Sequence, residues 1–328
     1  MKAVFLLDED NYNIIYSEEC IKKISEKVEI LGRYDSIDEA CDLSDVDFVF
    51  SGWGAVPMDK KALKAMPKLK VVFYGAGSIK KVQTEEMWQK PVRITSASTA
   101  NAIPVAQYTT SLIQLLLKDF FTLTRKVKEN RQNKMDVYRL TDGFYKRKIG
   151  IISYSKIGKE VIKNLQNLSE NEIYVYDPFY DEKFFKERNL IKSSLEEIFE
   201  KCDVVSLHSP LLKETEGMIK YQHFSKMKKN AAFINTARGK IINTDDLIKV
   251  LNERTDLTAI LDVSDPEPLE KNSALYDMDN VILSPHIAGS LGNETLLMGE
   301  LMYEEFARYI ESGDLKYEIS REAFLRMA

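Results

Sequence analysis

Short apolar runs recur along the chain, and longer amphipathic stretches separate them. The runs are rich in β-branched and aromatic residues and do not alternate with polar ones, which predicts strands buried on both faces of a parallel sheet. Regular alternation of such strands with helices is typical of doubly wound α/β domains. The predicted strands are Val4–Leu7, Val28–Leu31, Val46–Phe50, Val71–Tyr74, Val92–Ile94, Ile149–Ile152, Ile173–Tyr176, Val204–Leu207, Ala232–Ile234, Leu257–Leu261 and Val281–Leu283.

The helical pattern is longest after Asn101, where residues 102–127 keep a helical spacing of apolar positions. A polar, basic stretch from Lys128 to Lys148 follows, and the alternation of strands and helices then starts again. Because Pro104 suits the first turn of a helix, we place a domain boundary near Asn101. Further helices are predicted over 157–168, 245–251 and 293–312, the last of which ends at Gly313.

The charge balance argues against a general nucleic-acid binder. The 328 residues carry 46 Lys and Arg against 51 Asp and Glu, a formal net charge of −5, which leaves no basic excess for a phosphate backbone. No apolar run approaches the ~20 residues that span a bilayer, and the run at Met1–Leu7 is too short for a signal peptide. The length suits two domains, since single cores seldom exceed ~250–300 residues. Little chain follows the last predicted helix, so we expect no separate regulatory domain.

The cysteines indicate a reducing environment. Cys20, Cys41 and Cys202 are widely spaced and form no C-x-x-C pair, which disfavours both a disulfide framework and a zinc site. We therefore expect unpaired thiols, no metal and a cytoplasmic location.

A dinucleotide site is predicted where the strand ending at Ile152 runs into a helix. The turn reads S-x-S-x-x-G, with Ser153, Ser155 and Gly158 at the positions of the G-x-G-x-x-G fingerprint. The helix N-terminus offers amide groups to a pyrophosphate, and the serine hydroxyls could add hydrogen bonds to it. Asp177 follows the next strand, where a carboxylate binds ribose hydroxyls and repels a 2′-phosphate, so NAD is favoured over NADP. The alternative is that Asp177 caps a turn before Pro178.

Ionisable and polar residues follow four later strands, at the edge where open α/β sheets bind ligands. The residues that follow the strands are His208, Arg238, Asp262 with the nearby Glu267, and His286. The remaining histidine, His223, lies in a charged amphipathic stretch, so we expect it on the surface.

The stretches around these residues resemble the D-isomer-specific 2-hydroxyacid dehydrogenase family. The resemblance rests on LHSPLLKETEGMI (207–219), FINTARGKIIN (233–243), LDV with EP (261–268) and SPHIAGS (284–290), and more loosely on FYGAGS (73–78) and TANAIPVAQY (99–108). It implies a Rossmann NAD-binding domain of residues 101–290 inserted in a flavodoxin-like substrate domain of residues 1–100 and 291–328. It also implies a homodimer, in which we expect the helix after Asn101 and residues 128–148 to form the contact.

The family's arginine, glutamate and histidine correspond to Arg238, Glu267 and His286. Reduction of a 2-oxo acid leaves an alkoxide that needs a proton, and an adjacent carboxylate favours the protonated form of an imidazole. Arg238 would bind the substrate carboxylate through its planar fork. The resemblance implies cofactor contacts at Ser153, Ser155, Lys156, Ile157, Asp177, His208, Ser209, Pro210, Thr215, Thr236, Ala237, Asp262 and Gly289. It implies substrate contacts at Trp53, Ala76, Gly77 and Ser78, where free amides after Tyr74 could form a nest for the carboxylate.

Two departures from the family pattern bear on function. Ser153 and Ser155 replace glycines, which affects the affinity for the cofactor. The loop around Trp53 lacks the arginine that phosphate-recognising relatives carry, so a compact, unphosphorylated 2-hydroxy or 2-oxo acid is favoured. The alternatives are a related enzyme acting on formate or phosphoglycerate, and an NAD-sensing binding protein that resembles the family's transcriptional corepressors.

Overall fold

The computed structural model describes residues 1–130, 141–168 and 170–327. The chain forms two compact units, of which the first comprises Met1–Pro104 and Ser290–Ala328 and the second Val105–Gly289. The first boundary expected from the sequence, after residue 100, lies four residues before the observed one, which follows Pro104. The second expected boundary, after residue 290, lies one residue beyond the observed one, which follows Gly289.

All strands of both sheets run parallel to their neighbours. The structure matches the predicted strands to within a few residues and adds one short edge strand, β8. The strands are β1 (Lys2–Leu6), β2 (Glu29–Tyr34), β3 (Phe48–Ser51), β4 (Val71–Tyr74), β5 (Arg93–Ser96), β6 (Lys148–Ile152), β7 (Glu172–Tyr176), β8 (Ile191–Lys192), β9 (Val204–Leu207), β10 (Ala232–Asn235), β11 (Thr258–Leu261) and β12 (Val281–Leu283).

The first unit has a five-stranded sheet of order β2-β1-β3-β4-β5, the flavodoxin-like arrangement. One face of the sheet is an aromatic stack, in which the ring centroids of Phe5 and Phe50 lie 5.3 Å apart and those of Phe50 and Phe73 lie 5.1 Å apart. Phe306, from a helix near the end of the chain, packs edge-on at 5.4 Å from Phe50. The C-terminal segment is thereby part of this unit's core.

The second unit has a seven-stranded sheet of order β12-β11-β10-β9-β6-β7-β8. From β6 the chain adds β7 and β8 on one side. It then returns to the other side of β6 and adds β9, β10, β11 and β12 in turn. The loops after β6 and β9 therefore border the point where the strand order reverses, which is where Rossmann sheets bind dinucleotides. The predicted class, two doubly wound parallel-sheet domains, is confirmed.

Helices cover the faces of both sheets, and many begin at an N-capping Ser, Thr, Asp or Asn. They are α1 (Glu9–Ile15), α2 (Glu18–Ser25), α3 (Lys60–Ala65), α4 (Glu85–Trp88), α5 (Ser98–Leu117), α6 (Phe120–Asn130), α7 (Lys156–Gln166), α8 (Glu182–Lys186), α9 (Leu195–Lys201), α10 (Tyr221–Phe224), α11 (Thr244–Glu253), α12 (Leu296–Ser312) and α13 (Arg321–Leu325), with 3₁₀ turns at Gly239–Ile241, Ala274–Tyr276 and Gly292–Thr295. Among the described residues, none of these helices is both long and apolar enough to cross a membrane.

The predicted helix over 102–127 is wrong in two respects. It is divided into α5 and α6, because Asp119 adopts a left-handed backbone conformation with φ 52°, which interrupts the helical hydrogen bonds. It also begins earlier than expected, since the Ser96 hydroxyl accepts a hydrogen bond from the amide of Ser98. Pro104 consequently lies in the interior of α5 and not in its first turn. The predicted dimer segment 128–148 lies partly outside the described residues.

Candidate active site

The fingerprint loop joins β6 to α7 and is capped by Ser155. The Ser155 hydroxyl accepts a hydrogen bond from the amide of Gly158 at 3.2 Å and donates one to the carbonyl oxygen of His208 at 2.8 Å. In this structure the proton of the hydroxyl ties the loop to the end of β9, and a hydrogen bond from Ser155 to a phosphate stays a prediction. Ser155 fastens together the two loops that border the reversal of strand order.

Gly158 allows α7 to pack against the loop. A Cβ on Gly158 would lie 2.2 Å from the carbonyl oxygen of Ser153, so only glycine permits this approach. Lys156 and Ile157 form the first turn of α7, where helix amides attract anions. Desolvation, together with repulsion from Lys159, lowers the pKa of the Lys156 ammonium. A partly desolvated cation at a helix N-terminus suits a pyrophosphate.

Asp177, at the end of β7, is buried and holds two loops. Its Oδ2 accepts hydrogen bonds from the amide of Tyr154 at 2.9 Å and from the hydroxyl of Ser153 at 3.3 Å. Its Oδ1 accepts one from the amide of Phe179 at 2.9 Å. The turn-capping alternative therefore holds for Oδ1, and a contact with ribose stays a prediction.

His208 is buried and neutral. Its Nε2 lies 2.9 Å from the Ser206 hydroxyl, and its Nδ1 finds no partner among the described residues. Burial lowers the pKa of this imidazole to about 3. A buried ring nitrogen without a partner, beside a small-residue loop and a helix N-terminus, fits a dinucleotide with its many polar groups.

The remaining predicted cofactor residues fall in three loops of the same unit. Thr215 uses its hydroxyl within the loop after β9, where it donates to the carbonyl oxygen of Pro210 at 2.6 Å. The Thr236 hydroxyl pairs with that of Thr109 at 3.2 Å. Both hydroxyls are thus engaged by the protein. Ser209 and Ala237 are buried, whereas Gly289 is half-buried at the end of the His286 loop.

Arg238 follows β10 in a loop shaped by Asn235. The Asn235 amide donates to the carbonyl oxygen of Arg238 at 3.0 Å and accepts from the amide of Ala237 at 3.0 Å. Burial lowers the pKa of the Arg238 guanidinium, and the charge of Glu267 opposes that shift. Arginine nevertheless stays protonated. The loop therefore presents a fixed, half-buried cation beside a carboxylate.

His286 and Glu267 form the pair predicted for proton transfer. The Nδ1 of His286 lies 2.5 Å from Oε1 of Glu267, and both side chains are partly exposed, at 49% and 40%. Because Nδ1 is bound to the carboxylate, Nε2 is the ring nitrogen that can exchange a proton with a substrate. The structure thus brings Arg238, Glu267 and His286 together at the ends of β10, β11 and β12.

The backbone of His286 is held in a left-handed conformation, with φ 57°, by Asp262. The buried Asp262 carboxylate accepts hydrogen bonds from the amides of Ile287 and Ala288, both at 2.9 Å. The Asp262 carbonyl oxygen accepts a third from the amide of His286 at 3.0 Å. Asp262 therefore acts on His286 through the loop, and its predicted contact with the cofactor stays a prediction.

Two residues missed by sequence reasoning extend this anchor. The Ser284 hydroxyl donates to Oδ1 of Asp262 at 2.6 Å, and the Tyr108 hydroxyl donates to Ser284 at 2.9 Å. Ser284 stands in the SPHIAGS stretch, which could have drawn attention to it. Tyr108 lies on α5, and no local pattern in the sequence links it to β12.

The predicted substrate residues lie in the first unit, apart from Arg238. Gly75 and Ala76 donate their amides to the carbonyl oxygens of Ser51 and Tyr74, both at 2.8 Å. The expectation of free amides is therefore wrong for these two residues. The Ser96 hydroxyl, also missed, contacts the carbonyl oxygens of Ala76 and Gly77 at 3.1 and 2.6 Å and so fixes the loop.

Trp53 and Ser78 are half-buried in the first unit. Trp53 packs against the apolar clusters on both faces of the sheet. These contacts give Trp53 a packing role in the first unit, and its part in substrate selection stays a prediction.

The expectation that His223 is a surface residue is wrong. Only 4% of it is exposed, since Nδ1 accepts a hydrogen bond from the amide of Lys220 at 3.0 Å and the ring packs 5.6 Å from Phe199. The charged neighbours of His223 in the sequence suggest an exposed helix, but the helix face that carries His223 is buried.

Comparison with known proteins gives a consistent result. The sequence pattern of the D-isomer specific 2-hydroxyacid dehydrogenase NAD binding domain matches residues 110–288. A glyoxylate reductase from Thermofilum pendens is 32% identical over 249 residues, covering 74% of this chain and 73% of the relative. A phosphoglycerate oxidoreductase from Rhizobium etli superposes with a TM-score of 0.81 at 20% identity, covering 98% of each chain.

A second solved structure is the NAD-complexed form of a D-isomer specific 2-hydroxyacid dehydrogenase from Lactobacillus delbrueckii ssp. bulgaricus. It superposes with a TM-score of 0.76 at 20% identity, covering 97% of this chain and 99% of the other. At such identities the superpositions establish the fold alone, whereas the sequence matches establish kinship. The chain belongs to the D-isomer specific 2-hydroxyacid dehydrogenase family, and its second unit contains that family's NAD binding domain.

Proposed function

We propose that this protein is an NAD-dependent dehydrogenase that interconverts a small D-2-hydroxy acid and its 2-oxo acid. The observation that carries the proposal is the His286–Glu267 pair, 2.5 Å apart, beside the half-buried guanidinium of Arg238. These three side chains offer an acid/base and a carboxylate-binding cation, which reduction of a 2-oxo acid requires. The kinship to a glyoxylate reductase supports a small substrate.

Each residue has a distinct task in the proposed mechanism. Arg238 binds the substrate carboxylate and polarises the reacting carbonyl group. In the direction of reduction, the imidazolium of His286 gives its Nε2 proton to the substrate oxygen, and Glu267 stabilises the imidazolium before the transfer. In the direction of oxidation, the neutral imidazole accepts the hydroxyl proton. When bound, NAD(H) would supply or accept the hydride.

The nucleotide would be held by the loops after β6, β7 and β9. Lys156 and the N-terminus of α7 suit the pyrophosphate. The Nδ1 of His208, which has no hydrogen-bond partner within the described part of the chain, suits a polar group of the dinucleotide. Asp177 favours NAD over NADP, because a buried carboxylate repels a 2′-phosphate. Faster turnover with NADPH than with NADH would contradict this assignment.

The test is NADH oxidation with glyoxylate, hydroxypyruvate, pyruvate and 2-oxoisocaproate, with 3-phosphohydroxypyruvate included, and NAD reduction with formate. We expect one of the small 2-oxo acids to be reduced, and His286→Gln to abolish that turnover while NADH still binds. Binding of NADH without turnover of any substrate would favour the sensing protein instead. Preference for the phosphorylated acid or for formate would instead favour a related enzyme that acts on phosphoglycerate or on formate.

The proposal includes a cytoplasmic homodimer. Cys20, Cys41 and Cys202 are all free thiols, which suits a reducing compartment. Phe120 and Val127 on α6 are large apolar side chains that are 46% and 44% exposed, which suits a contact between copies. Light scattering should give twice the chain mass, and Phe120→Asp should shift the protein toward the monomer.

A further inference from the structure

Ser153 occupies a position where the backbone favours glycine. Its φ is 81°, in the left-handed region, yet it carries a hydroxyl that reaches Oδ2 of Asp177 at 3.3 Å. A glycine would adopt this conformation without strain and would leave that side of the carboxylate open. The hydroxyl of Ser153 therefore changes what Asp177 can bind.

The acceptor capacity of Asp177 is nearly exhausted within the protein. A carboxylate offers about four lone-pair sites. Tyr154 and Phe179 use two of them through their amides, and the Ser153 hydroxyl uses a third. The adenosine ribose of a dinucleotide presents two hydroxyl donors, so only one of them finds a vacant site while Ser153 is bound to Asp177.

We propose that Ser153 sets the affinity for the adenosine ribose by competing with one ribose hydroxyl for Asp177. The inference rests on the proposed function, in that it requires a dinucleotide at the β6–α7 loop. The hydroxyl and not the Cβ is the competing group, because the hydroxyl is what hydrogen-bonds to the carboxylate. The two amides from Tyr154 and Phe179 hold Asp177 in place whether or not Ser153 donates.

The experiment measures binding of ADP-ribose and of its 2′-deoxyadenosine analogue to the purified protein by calorimetry. Ser153→Ala removes the hydroxyl and keeps the Cβ, whereas Ser153→Gly removes both. We expect each variant to lower the Kd for ADP-ribose roughly tenfold, the effect of one hydrogen bond to a charged group. Neither variant should improve binding of the deoxy analogue, since its remaining hydroxyl already has a site.

Ser155→Ala is the matched control, because that hydroxyl belongs to the same loop but donates to His208. It should give no gain that depends on the 2′-hydroxyl. Unchanged or weaker binding of ADP-ribose to Ser153→Ala overturns the inference, and so does a gain that is equal for the deoxy analogue. Absence of ADP-ribose binding in the unmodified protein would instead remove the proposed function itself.

Thermal unfolding separates the affinity effect from backbone strain. Ser153→Gly should raise Tm relative to Ser153→Ala, because only glycine relieves the positive φ. If affinity followed Tm across the two variants, strain and not competition would govern binding, and the inference would fail.

Discussion

Gly239 and Ser264 approach each other so closely that a Cβ on the glycine would lie 2.0 Å from the carbonyl carbon and oxygen of the serine. Gly239 directly follows Arg238, and Ser264 lies three residues before Glu267. This contact therefore fixes the spacing between the loop of the arginine and the loop of the glutamate.

Gly239→Ala should separate the two loops and lower kcat/KM by about 10²-fold, since displacements near 1 Å cost that much. Steady-state kinetics with the best 2-oxo acid provide the measurement. Gly217→Ala is a control for general destabilisation, because its Cβ would meet open space and only its positive φ of 60° would strain the backbone. Equal loss of activity in both variants would show that general destabilisation, and not loop spacing, is responsible.

Glu267→Gln should lower kcat about 10²-fold or more, because the amide keeps a similar size but cannot stabilise the imidazolium of His286. The Kd for NADH, measured by fluorescence, should stay the same. Glu267→Asp retains the charge and should recover part of the lost rate. A rate unaffected by Glu267→Gln would remove Glu267 from the mechanism.

Tyr108→Phe should lower kcat about fivefold, which corresponds to one hydrogen bond worth ~1 kcal/mol. The Tyr108 hydroxyl donates to Ser284, which in turn donates to the Asp262 carboxylate that anchors the His286 loop. Asp262→Asn should have a larger effect, because an amide cannot accept from both Ile287 and Ala288 with its two terminal atoms. If kcat were unchanged in Tyr108→Phe but reduced in Ser284→Ala, Tyr108 would not contribute, and only Ser284 and Asp262 would hold the His286 loop.

The buried His208 should make the free energy of unfolding depend on pH. Burial lowers the pKa of its imidazole to about 3 in the folded protein, against an ordinary value of 6.5. Below pH 6.5 the unfolded chain binds a proton that the folded protein refuses, so the free energy of unfolding falls as pH falls. The expected slope from this one group approaches ~1.4 kcal/mol per pH unit.

Denaturant unfolding between pH 6.5 and 5 should therefore show a shallower pH dependence in His208→Gln than in the unmodified protein. This window lies above the range in which the low-pKa carboxylates, such as Asp203 and Asp256, take up protons. His223, whose pKa is also lowered by burial, contributes in both proteins and cancels in the comparison. Identical slopes would indicate that His208 is hydrated.

The sequence predicted the strands well, because buried parallel strands such as Val71–Tyr74 and Val204–Leu207 leave continuous apolar runs. It failed where a single residue redirects the backbone. The left-handed Asp119 divides a helix whose apolar spacing continues on both sides of the break. The β8 strand has only two residues, Ile191–Lys192, and leaves no detectable run.

The sequence predicts which loops carry the site residues, but it does not predict the hydrogen bonds that join those loops. Parallel strands deliver Arg238, Glu267 and His286 to one edge, and that follows from the order of the motifs. Which hydroxyl pairs with which acceptor depends on the rotation of helices and on loop conformation. The bonds of Ser155 to His208 and of Tyr108 to Ser284 join residues 53 and 176 positions apart, so no local pattern contains them.

The order of strands in the second sheet keeps two tasks on separate parts of the backbone. The loops after β6 and β7 carry Ser153 and Asp177, whereas those after β10 and β12 carry Arg238 and His286. On the proposed assignments, a substitution in the first group would change how tightly the nucleotide is held, while His286 and Arg238 would keep their geometry. With those roles, natural selection could retune cofactor affinity and reaction chemistry independently within one sheet.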